Sequence, residues 1–63
     1  MNVLIKDLKN VSYNIGGVER IILPDEFSFK LKTTYGYILI LKNNVNEVKV
    51  LNQQNEFMTL IKK

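Results

Sequence analysis

The chain has no cysteine and no histidine. The first absence removes any disulfide staple. Together they remove the usual zinc ligands, so no metal site is expected. There is no alanine either, while Ile and Val abound. That balance points away from long helices and toward strands. A single proline and three glycines leave few obvious breakpoints. No apolar run approaches the ~18 residues of a membrane span. The opening "MNVLIKDLKN" lacks a charged segment followed by a clean apolar stretch, so it does not read as a signal peptide. A cytoplasmic location is expected.

Catalytic chemistry is equally thin. Asp25 and Glu26 are adjacent carboxylates, but neighbouring side chains point in different directions in any regular structure. No His, Cys or second acidic cluster completes a site. Gly16-Gly17 lacks the phosphate-loop pattern and reads as a turn. The expectation is a protein that is not an enzyme and needs no cofactor.

What remains is a 63-residue chain, 46 % hydrophobic, with net charge +3. This reads as one small domain, residues 1–63. Surface scaling gives about 4,200 Å² for a folded monomer of this mass. Burial then contributes on the order of 95 kcal/mol. Ordering the chain costs about the same at ~1.5 kcal/mol per residue. A lone monomer is therefore marginal, and a homodimer is the expected remedy. The basic balance is compatible with nucleic acid, although the cations are scattered along the sequence.

Short strands dominate the pattern. "NVLI" at 2–5 is an apolar run. At 10–15, Val11, Tyr13 and Ile15 fall on one face. Gly16-Gly17 and the return segment 18–23 predict a hairpin over residues 11–23. "YILILK" at 37–42 is continuously apolar and reads as a buried strand. "NNVN" at 43–46 is a turn in which Asn tolerates positive φ. In 47–52, Val48 and Val50 share a face. "QQN" turns again, and 56–61 is a last strand. Lys62-Lys63 discourages edge pairing there. Five to seven strands in an all-β meander or small barrel result.

The stretch "RIILPDEFSFKLKTTYGYILIL", residues 20–41, carries two competing patterns. Alternation puts Phe27, Phe29 and Leu31 inward and Ser28, Lys30 and Lys32 outward, as a strand. Alternatively, Pro24 and the acidic pair open one helical turn, with Phe27 and Leu31 on a common face. The second pattern resembles the AbrB/SpoVT/MazE-type swapped-hairpin family. The matching positions are Arg20, Ile21-Ile22-Leu23, Pro24, Glu26, Phe27, Leu31, Gly36, Leu39 and Leu41, within residues 9–51.

That resemblance implies an intertwined homodimer, mostly β with one short helical turn after Pro24. It also implies a DNA-binding transcriptional regulator or the antitoxin half of a toxin–antitoxin pair. The family's arginines are thinned out here: Tyr13, Asn14, Ser28 and Phe29 stand where it carries basic residues. Candidate nucleic-acid contacts are Arg20, Lys30, Lys32 and Lys9. Arg20 could equally pair with Glu19, Asp25 or Glu26. Tyr13, Tyr35 and Tyr37 could stack on bases or pack half-buried. The alternative function is a small inhibitor or antitoxin that grips a protein target through its edge strands.

Overall fold

The computed structural model describes residues 1–23 and 25–63. The chain is all-β, with seven strands among the described residues. These are β1 (Asn2–Asp7), β2 (Ser12–Ile15), β3 (Val18–Ile22), β4 (Ser28–Thr33), β5 (Gly36–Leu41), β6 (Val45–Leu51) and β7 (Phe57–Lys62). A 3-10 turn, Lys42–Asn44, joins β5 to β6. Two antiparallel sheets form, in the orders β2-β1-β6-β7 and β3-β4-β5.

The sheets meet face to face over one core. Val3 and Ile5 of β1 and Val48 and Val50 of β6 come from the four-stranded sheet. Val18, Phe29 and Leu31 come from the three-stranded one, and Val45 closes the crossover. The alternation of Phe29 with Leu31, and of Val48 with Val50, is thus realised with both members of each pair buried.

Two hairpins of the larger sheet close with the same five-residue turn. In the first, Asp7 Oδ1 accepts from the amides of Lys9 (2.8 Å) and Val11 (3.0 Å). In the second, Asn52 Oδ1 accepts from those of Gln54 (2.9 Å) and Glu56 (3.0 Å). The fourth residue of each turn is an asparagine in the left-handed region, Asn10 at φ 64° and Asn55 at φ 61°. Asn tolerates that region where most side chains do not. The turn read at residues 43–46 does not use the positive φ that asparagine tolerates; the 3-10 turn Lys42–Asn44 makes the crossover instead.

The hairpin expected over residues 11–23 does not form. β2 pairs with β1, in the register Val3↔Ile15 and Ile5↔Tyr13. β3 pairs with β4 in the other sheet. The Asp7 turn delivers β2 to β1 before Gly16-Gly17 is reached, and the glycines become a corner between sheets. Only Gly17 of the pair has positive φ, +70°, whereas a two-residue I′ turn needs it at both positions. Met1 fixes the corner: its ammonium donates to Val18 O at 2.7 Å, and Val18 N donates to Met1 O at 3.1 Å. Gly17→Ala places a Cβ in the left-handed region at a cost of about 1 kcal/mol. A lowered urea midpoint with unchanged slope is the expected result.

The helical turn after Pro24 is also replaced, in the residues that can be followed. Pro24 itself lies outside the described residues. Residues 25–27 form bends and β4 begins at Ser28. β4 has strand partners on both sides, and that ladder satisfies more backbone groups than one isolated helical turn. Asp25 keeps a capping role without a helix. Its Oδ1 accepts from the amides of Phe27 and Ser28, both 2.8 Å, and from the Ser28 hydroxyl at 3.1 Å. Ser28 is consequently buried rather than outward, and Phe27 is 67 % exposed rather than inward.

Candidate interaction surface

β5 is the largest departure from expectation. "YILIL" reads as a buried strand, yet Tyr37, Leu39 and Leu41 are each about half exposed. β5 is an edge: β4 covers one side and nothing among the described residues pairs with the other. The total accessible surface is 4563 Å², above the ~4,200 Å² expected of a monomer this size.

The free groups of β5 can be assigned. Lys42 N donates to Phe27 O at 2.9 Å, on the β4 side. An antiparallel ladder alternates with period two, so Ile38 and Ile40 also bond toward β4. The N–H and C=O groups of Tyr37, Leu39 and Leu41 therefore point outward from the edge.

Among the described residues four strands are edges, and three carry a guard of a known kind. β2 has only four residues. β3 carries Glu19 and Arg20 and an irregularity between Val18 and Arg20. β7 ends in Lys62 and itself carries an irregularity at Leu60, opposite Val48 and Lys49 of β6. β5 has none of these from Gly36 to Leu41. It also borders a cleft. Between β5 and β2 the two sheets gape, leaving an open space of about 670 Å³. Ile5, Tyr13, Ile15, Ile40 and Val45 supply its apolar wall, and Leu39 and Leu41 of the β5 edge form its rim. Asp7 sits at its mouth and accepts a 3.3 Å bond from the Tyr13 hydroxyl.

The sequence-predicted cations are partly brought together. Arg20 lies opposite Lys32, and Ile22 opposite Lys30. Lys30 lies opposite Leu39, and Lys32 opposite Tyr37. Directly opposed residues share a sheet face. Arg20, Lys30, Lys32, Tyr37 and Leu39 thus occupy the outer face of the three-stranded sheet. Lys9 does not join them; it sits in the β1–β2 turn of the other sheet. The ammonium groups of Lys30 and Lys32 lie 5.9 and 5.4 Å from the centre of the Tyr37 ring. Lys32 also meets Glu19 at 3.5 Å and donates to Thr33 O at 2.7 Å. Arg20 forms no ion pair among the described residues, so none of its three proposed partners is taken.

The tyrosines separate. Tyr13 lines the cleft, Tyr37 lies under the lysines, and Tyr35 stands 99 % exposed at the β4–β5 turn. The cleft itself was missed by sequence reasoning. One signal existed: "YILIL" is apolar without alternation, yet no long parallel-sheet context surrounds it.

Three carboxyls are held below their ordinary values. For Asp7 the first cause is the hydrogen bond from the Val11 amide, and for Asp25 that from the Phe27 amide. For Glu47 it is the Lys49 ammonium at 3.0 Å, with Lys6 at 3.7 Å adding to it. A carboxyl that binds its proton less tightly when folded stabilises the fold above its unfolded pKa, here 3.8 for Asp and 4.5 for Glu. That contribution disappears as pH falls through the lower, folded value. Melting temperature is expected to be flat above about pH 5 and to fall below about pH 4. Asp7→Asn with Asp25→Asn should make the acid limb shallower.

No family model, curated protein or solved structure matches this chain. No helix among the described residues is long and apolar enough to cross a membrane.

Proposed function

We propose that this chain is a non-catalytic binding module that captures an extended segment of another protein along the free edge of β5. One observation carries the reading: the only unguarded edge among the described strands borders an open apolar cleft. An added strand would take its backbone bonds from Tyr37, Leu39 and Leu41. Alternate side chains would fill the cleft, the usual division between affinity and specificity in strand addition. An inhibitor or antitoxin working by occlusion needs no more chemistry than this.

The test is a selection from a random displayed-peptide library on the immobilised chain. Clones are then rescreened against Leu39→Pro. That proline removes an outward-facing N–H and leaves the β4 ladder intact. Binding to the parent and loss on the variant is the expected pattern. Clones that bind both equally overturn the reading. A synthetic chain N-methylated at Leu39 makes the same deletion if the proline variant does not fold.

A second reading, a DNA-binding regulator, rests on a different observation: Arg20, Lys30 and Lys32 share one face with Tyr37. It predicts duplex binding that weakens with added salt and is reduced several-fold by Arg20→Ala. Undiminished affinity in that variant contradicts it.

A further inference from the structure

We infer that the segment captured by β5 alternates apolar with acidic residues; this rests on the strand-addition reading above. A strand added to β5 extends the three-stranded sheet, and its side chains alternate between the two faces. Those on the inner face enter the cleft beside Ile15, Ile40 and Val45, where burial favours aliphatic groups. Those on the outer face line up with Tyr37, Leu39 and Leu41.

The outer face is cationic. Arg20, Lys30 and Lys32 carry three positive charges on it, and the one acid in contact, Glu19, is already paired with Lys32. Both lysines lean over Tyr37, that is, toward the free edge. β4 and an added strand lie two strand spacings apart, about 9.6 Å. Lysine and glutamate side chains reaching toward each other close that gap. An acidic residue on the outer face would meet Lys30 or Lys32 above the Tyr37 ring, partly shielded from water.

This chain supplies no such segment itself. Its edge strands read SYNI, VERII, GYILIL and FMTLIK, none of which alternates apolar with acidic residues. A second copy on β5 would leave Lys30 uncompensated and bring two chains of charge +3 together.

The probes are two end-blocked peptides long enough to pair all of β5, one alternating valine with glutamate, the other valine with lysine. Each is titrated into ¹⁵N-labelled chain. The glutamate peptide is expected to bind about tenfold more tightly, the sum of a few weak ion pairs. It should shift the amides of Tyr37, Leu39 and Leu41, and its advantage should shrink as salt screens the pairs. Lys30→Glu with Lys32→Glu should reverse the preference. Equal affinity of both peptides at β5 overturns the acidic preference and leaves strand addition standing. Binding of neither, or binding that leaves β5 amides unmoved, overturns both. So does a Leu39 amide already protected before peptide is added, the mark of a second copy on the edge.

Discussion

Phe29→Ala should leave the chain unfolded or nearly so at room temperature. Phe29 is 1 % exposed and the largest fully buried side chain. It stands on β4, the central strand of its sheet, opposite Ile40. Truncating such a residue costs about 3–5 kcal/mol, transfer and cavity together. A 63-residue domain has roughly 3–9 kcal/mol to lose at ~0.05–0.15 kcal/mol per residue. The near balance of burial and chain entropy puts this one at the low end. Phe27→Ala and Phe57→Ala are the controls. Both side chains are more than half exposed, and each variant should lose less than about 1 kcal/mol. Urea denaturation followed by circular dichroism separates the three. A Phe29→Ala chain with an unchanged midpoint would mean that the core is placed wrongly.

Adjacent prolines in β5 should behave oppositely. Ile38 lies on the side of β5 that bonds to β4, opposite Leu31. Ile38→Pro deletes that bond, strands a carbonyl and removes a side chain on the Leu31 face of the sheet. The expected loss is about 3 kcal/mol, enough to unfold the chain. Leu39→Pro deletes only an N–H that points to solvent. It should cost about 1 kcal/mol or less, and the variant should fold and lose docking. If the two variants unfold together, the outward assignment of the Leu39 amide is wrong. If Ile38→Pro is the tolerated one, the parity is reversed.

The sequence was most readable where alternation and burial coincide. Phe29 with Leu31 and Val48 with Val50 were correctly paired because each sits in a strand with one face on the core. The acidic pair Asp25-Glu26 reads as the start of a helical turn, but Asp25 instead caps the bend that leads into β4. What it caps depends on whether residues 28–33 find strand partners, which is a tertiary matter. Gly16-Gly17 misled for a similar reason. A glycine pair specifies a change of direction, but the strand that captures β2 is chosen by the Asp7 turn upstream.

That turn had a local signature, an Asp or Asn three residues before an Asn, repeated at Asn52 and Asn55. It was not used. The cleft was beyond local patterns. A continuous apolar run looks the same whether it is buried within its own fold or left open on an edge. Of the four candidate cations, Arg20, Lys30 and Lys32 were brought to one face by the β3–β4–β5 register, whereas Lys9 belongs to the other sheet.

The central claim is that one edge of β5 is open, and amide hydrogen exchange at single-residue resolution tests it without any partner. At micromolar concentration, Ile38 and Ile40 should exchange slowly because they bond to β4. Tyr37, Leu39 and Leu41 should exchange as exposed amides do, giving a fast–slow alternation along one strand. Uniform protection from Tyr37 to Leu41 would contradict the account, since the edge offered for docking would already be covered.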